Sequence, residues 1–83
     1  MAELKLPPQN LDAEKSVLGS ILIDEEAIYK LVEILKPDNF YHPHNKDIYQ
    51  CMLELFEERK AIDILTLSDI LKRKKLLSRV GGM

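Results

Sequence analysis

The sequence predicts an all-α domain: a small orthogonal bundle of four main helices followed by a short C-terminal element. Three observations carry that expectation. Apolar residues recur at helical spacing in four segments, and strict alternation never runs for the length of a strand. Prolines and side-chain oxygens suited to helix starts stand at the segment boundaries. The chain's 83 residues, 46% of them apolar, suffice for one small domain that buries roughly 60% of its unfolded surface.

Pro7 and Pro8 hold residues 1–9 as an extended arm. Asn10 then caps a first helix, with Asp12 and Glu14 at its positive end and Leu11, Val17, Leu18, Ile21 and Leu22 along one face. Gly19 costs about 1 kcal/mol relative to alanine inside a helix, so close approach of another helix is the expected reason for it, within the domain or from a partner. Asp24 closes this helix and caps a second, in which Ile28, Leu31, Val32 and Leu35 are spaced for burial until Pro37 ends it.

Phe40 and Tyr41 anchor the next loop in the core. Pro43 suits the first position of a third helix that runs to about Arg59, with Ile48, Met52, Leu55 and Phe56 as its stripe and Tyr49, Cys51 and Leu53 widening it. So broad an apolar surface marks the central helix. Asp63 caps a fourth helix whose Ile64, Leu67, Ile70 and Leu71 face inward, and the cations of KRKK, residues 72–75, suit its C-terminal end. Leu76, Leu77 and Val80 then promise a short further element, exposed and prone to pairing if nothing covers it, before Gly81, Gly82 and Met83. The unit spanning 10–83 thus reads as a helical domain interrupted at its C-terminal side.

The formal net charge of −2 hides an asymmetry. Residues 1–60 carry 7 basic and 12 acidic side chains, and residues 61–83 carry 5 basic and 2 acidic. The acidic part argues against wholesale wrapping of nucleic acid. One cysteine, Cys51, allows no internal disulfide, and with no secretory leader at the start a reducing, cytoplasmic setting is expected. No apolar run approaches the ~18 residues that cross a bilayer, so no membrane partner is expected.

The stretch FYHPHNKDIYQC, residues 40–51, raises a metal reading through His42, His44, Asp47 and Cys51. Helical geometry disfavours it, because Cys51 lies a full turn beyond Asp47 and its thiol belongs inside. The plainer reading makes the histidines polar groups at a helix start and Cys51 a small core residue. A phosphate loop of the G-x-x-x-x-G-K-[ST] kind is absent, the only glycines being Gly19, Gly81 and Gly82. Ser16, Ser20, Ser68 and Ser78 have no evident base, and the carboxylates cluster where helix capping explains them. No catalytic, cofactor or metal residue is assigned. Lys72, Arg73, Lys74 and Lys75 suit phosphate contact, and with two helices joined by the short segment KAIDI they keep a small helical DNA-binding domain open as an alternative. A solvated helix end is the weightier reading of that run.

At PPQNLDAEKSVLGSILID, residues 7–24, the chain closely resembles the start of the bacterial replicative DNA helicases of the DnaB family. The likeness continues through LKPDNFYHPHNKDIYQCML at 35–53, AIDILTL at 61–67 and LLSRVGG at 76–82. It departs at Asn45, where the family often has histidine.

The resemblance implies the N-terminal helical domain of a hexameric helicase, non-catalytic in itself and cut before the family's helical hairpin. The ATPase motor that binds ATP and magnesium, and makes the parent an ATP-dependent 5′–3′ DNA helicase, would lie outside this chain. Implied partners are the C-terminal domain of primase, other helicase subunits and in some bacteria a loader, with DNA engaged through the full ring. Asp12 and Glu14, read as exposed after the PPQN entry, become the candidates for partner contact, against a plain role in helix capping.

Overall fold

The structure is a computed structural model and describes residues 10–75. Among these residues every regular element is helical: α1 Leu11–Ile23, α2 Ala27–Leu31, α3 Pro43–Glu57 and α4 Ile64–Arg73, with a single 3-10 turn at Pro37–Asn39. Helix α3 is the hub. It packs against α1, α4 and the 3-10 turn, while α2 folds back on α1.

The boundaries follow from capping. The Asn10 side chain accepts the amide of Ala13 at 3.0 Å. Asp24 closes α1, and its carboxylate accepts the amide of Glu26 at 3.1 Å in the tight corner before α2. Asp63 and Thr66 cap each other reciprocally at the start of α4, at 2.9 and 3.0 Å. Pro43 occupies the first position of α3, where its missing N–H costs nothing.

The C-terminal end of α3 is a Schellman turn. Lys60 N–H donates to Leu55 O at 2.9 Å and Arg59 N–H to Phe56 O at 3.1 Å. Arg59 takes the left-handed position with φ 59°, which glycine usually fills. Lys75 follows α4 with φ 60° and donates to Lys72 O.

The core gathers Leu18 and Ile21 of α1, Ile28, Leu35, Phe40, the inner face of α3 and Ile62, Leu67, Ile70 and Leu71. Tyr49 sits fully buried at its centre, ring against Phe40 with centroids 5.1 Å apart. Its hydroxyl donates to Leu35 O at 2.8 Å, and burial pushes its pKa up to about 12.

Four details of the sequence reading are corrected. The second helix is shorter than expected: regular α geometry stops at Leu31, and the chain proceeds through turns to Lys36, which is extended (φ −107°, ψ 156°) as the residue before a proline must be. Tyr41 and Ile64 are exposed rather than in the core, the first because it precedes the cap of α3, the second because it opens α4. A Cβ built on Gly19 meets nothing within 4 Å, so no neighbouring helix among the described residues explains that glycine. Glu14 is fully buried, with consequences for the site. Residues 1–9 and the apolar trio Leu76, Leu77 and Val80 lie outside the described residues.

Candidate interaction surface

Glu14 stands on α1 between the turns of Leu11 and Leu18, in line with Leu18 and Ile21, so the helix that buries those two also buries it. Its carboxylate meets the turn that launches α3. One oxygen accepts the amide of Tyr41 at 2.6 Å, and the other accepts Asn45 Nδ2 at 2.7 Å and the amide of His42 at 3.3 Å. Three donors satisfy a charge that burial alone would make costly. The carboxylate is therefore a structural clamp between α1 and α3, not the exposed contact residue that sequence reasoning made of it. Asp12, on the opposite face of the same turn, is exposed as expected.

The histidines are joined to the same turn. His42 caps α3 by accepting the amide of His44 at its Nδ1, 3.1 Å away. The two rings lie 4.5 Å apart and border a small cleft with Leu11, Lys15 and Ile48. Cys51 lies in the core, where burial pushes its thiol pKa up, so the fold separates the side chains that the metal reading joins. Among the described residues no group of three or more His, Cys, Asp or Glu side chains is arranged to hold a metal ion.

The basic run is partly drawn into ion pairs. Lys74 contacts Glu54 of α3, and Arg73 reaches Asp69 at 3.5 Å along α4. Lys72 and Lys75 are exposed. With half of the run tied to carboxylates, its pull on phosphates is weaker than four free cations would give.

Apolar side chains that the helical pattern left unassigned stand on the surface. Ile23 ends α1 at 89% exposure, Leu65 stands on the first turn of α4 at 81%, and Tyr29 projects from α2. Tyr29 packs edge to face on Phe56, centroids 5.2 Å apart. The pair walls a groove of ≈ 740 Å³ with Ile28, Ile62, Glu25 and Arg59 between α2 and the α3–α4 connection. Glu25 steadies that groove by accepting the Ile62 amide at 3.4 Å. The signal for the surface set was in the sequence: Ile23 and Leu65 fall outside the 3–4 spacing of their helices' buried residues. No described helix is long and apolar enough to cross a membrane.

Asn10, His42 and Asp63 are thus engaged in caps and Glu14 in a clamp, while Ile23, Tyr29 and Leu65 face outward. The family model described as the DnaB-like helicase N-terminal domain matches residues 6–83. The chain belongs to that family. It is 44% identical over 78 residues to the replicative DNA helicase DnaB of Nostoc sp., covering 94% of this chain and 9% of that protein. It is 39% identical over 79 residues to the replicative DNA helicase DnaC of Bacillus subtilis, covering 95% and 17%. Among solved structures, the N-terminal domain of DnaB helicase from Mycobacterium tuberculosis superimposes with a TM-score of 0.87 at 40% identity, covering 93% of this chain and 54% of that one. The chain therefore spans less than a fifth of these two curated relatives and about half of the solved domain.

Proposed function

We propose that this DnaB-type N-terminal domain is a non-catalytic interaction and assembly module of a hexameric replicative DNA helicase, docking the C-terminal domain of primase and supporting ring assembly. Helicase activity, with its ATP and magnesium, then belongs to a motor outside this chain, and DNA is engaged through the assembled ring. The observation that carries the reading is the division of labour within one turn of α1: Glu14 is consumed by the α1–α3 clamp, whereas Asp12 beside it faces outward. The described surface offers charged and apolar contacts, and interfaces draw their energy from a few such side chains.

Asp12 is the contact residue of the proposal, with Ile23, Tyr29 and Leu65 as apolar candidates. Other helicase subunits, and a loader where one exists, are further partners of the same kind. Isothermal titration of the 83-residue chain with the C-terminal domain of its own primase tests this. Saturable binding, weakened at least several-fold by Asp12→Lys with the fold intact, supports the proposal. Binding unaffected by that change removes Asp12 from the interface, and no binding at high micromolar concentration removes primase docking.

A further inference from the structure

We propose that Leu65 of α4 and the groove walled by Tyr29 and Phe56 together form a two-fold contact between copies of this chain, each copy seating its Leu65 in the groove of the other. The contact deepens the assembly part of the function given above and rests on it. It assigns Tyr29 and Leu65 to a second copy and leaves Asp12 and Ile23 to primase.

The position of the two features on one surface points to a second copy as the occupant. Leu65 stands 81% exposed on the first turn of α4, while Leu67 and Leu71 of the same helix are buried. The groove of ≈ 740 Å³ between α2 and the α3–α4 connection is lined by Ile28 and Ile62 beside its two aromatic walls, and it has room for an aliphatic side chain. The two are neighbours: Lys60 borders the groove and also the surface around Leu65. Under a two-fold axis near Lys60 both insertions form at once, which is the self-complementary arrangement of an isologous dimer. An unrelated partner requires no such adjacency.

The charges around the apolar centre are complementary. Within each copy Lys60 is paired with Glu58 at 2.9 Å and Arg73 with Asp69 at 3.5 Å, so the axis does not bring bare ammonium groups together. Glu57 and Arg59 on the rim of the groove, and Lys72 on α4, have no ion-pair partner among the described residues. Lys72 comes seven residues after Leu65, two turns along the same helix face, and Asp63 lies just before the helix begins. With Leu65 seated, Lys72 meets the acidic rim of Glu25 and Glu57, and Asp63 meets Arg59. Opposite charges around an apolar centre fix the register of such a contact.

Sedimentation velocity of the chain from 10 µM to 1 mM, roughly the range in which a small exposed contact associates, tests the proposal. A monomer–dimer equilibrium is expected. Leu65→Ser removes two seated leucines from one dimer and should raise the dissociation constant at least about tenfold. Lys72→Glu and Glu57→Lys, both at exposed positions, should each raise it several-fold at low salt, and the two reversals in one chain should restore it. A monomer at 1 mM, association indifferent to Leu65→Ser, or reversals that do not restore each other overturn the proposal. An isotope-filtered NOE experiment on mixed labelled and unlabelled wild-type chains is a readout that needs no variant: cross-peaks between Leu65 methyls and the Tyr29 or Phe56 ring of the other copy are expected, and their absence in a dimeric sample overturns it. A chain that stays monomeric yet binds the C-terminal domain of primase overturns this contact and leaves the docking reading standing.

Discussion

Asn45 Nδ2 donates to Glu14 Oε1 at 2.7 Å across 31 residues of chain, and both side chains are buried. With the amides of Tyr41 and His42 on the same carboxylate, the pair fixes how α1 meets α3. Replacing Glu14 by glutamine puts an NH2 donor where a carboxylate oxygen accepted, so donor faces donor and buried N–H groups are left unpaired. The expected loss is about 2–4 kcal/mol of unfolding free energy, read by urea denaturation. Asp12→Asn, in the same turn but exposed, is expected to cost less than about 1 kcal/mol. Combined with Asn45→Ala, Glu14→Gln should show a coupling energy of roughly 0.5–3 kcal/mol, and strict additivity would show that the clamp is not one unit.

Gly19 weakens α1 without an intramolecular return among the described residues, since a Cβ there meets nothing within 4 Å. Gly19→Ala should therefore stabilise the chain by about 0.5–1 kcal/mol. For a domain of this size each kcal/mol raises Tm by about 4–8 °C, a shift that calorimetry resolves. A fall in Tm would show that α1 is packed closely in solution at this point.

Arg59 holds the left-handed position of the Schellman turn at φ 59°. That conformation costs a side-chain-bearing residue roughly 1–2 kcal/mol, and glycine is largely exempt. Arg59→Gly is expected to raise the urea midpoint, by up to about 1 kcal/mol in stability after the extra freedom of glycine in the unfolded chain is counted. An unchanged or lowered midpoint would mean that the arginine side chain contributes something the turn geometry does not show.

Tyr49 gives the fold an alkaline limit. Burial raises its pKa from 10.0 to about 12, so the unfolded chain releases this proton first. Its contribution is complete below pH 10 and is lost as the pH rises from there through about 12. Stability of the wild type should fall across that window more steeply than that of Tyr49→Phe. At neutral pH the phenylalanine variant should be less stable by about 1–3 kcal/mol, because Leu35 O loses its donor.

Much of the fold was legible because caps and spacing agreed. Asn10, Pro43 and Asp63 stand where the helices begin, and the stripes of Leu18 and Ile21, of Met52 and Leu55, and of Leu67, Ile70 and Leu71 are buried as their periodicity requires. What failed depends on residues distant in sequence. Glu14 follows the spacing of Leu18 and Ile21, but reading a charged residue as buried requires its partners, and these arrive 27 to 31 residues later. The second helix was overextended because Leu35 is buried and fits helical spacing, although the chain reaches it through turns. Ile62 is buried from a connection where no periodicity can announce it. On the functional side, the family was legible from ordered segments along nearly the whole chain, whereas the contact surface was not. The spacing of Ile23 and Leu65 marks them as outward-facing, but a partner's footprint follows from its own surface as much as from this one.

The most direct test of the central claim is an amide chemical-shift map of the 15N-labelled chain titrated with the C-terminal domain of its own primase and, separately, with single-stranded DNA. The account expects primase to perturb exposed positions around Asp12, Ile23, Tyr29 or Leu65 while the Glu14–Asn45 clamp stays in place, and DNA to leave the spectrum largely unchanged at physiological salt. A silent primase titration, beside salt-sensitive DNA shifts centred on Lys72 and Lys75, would contradict it.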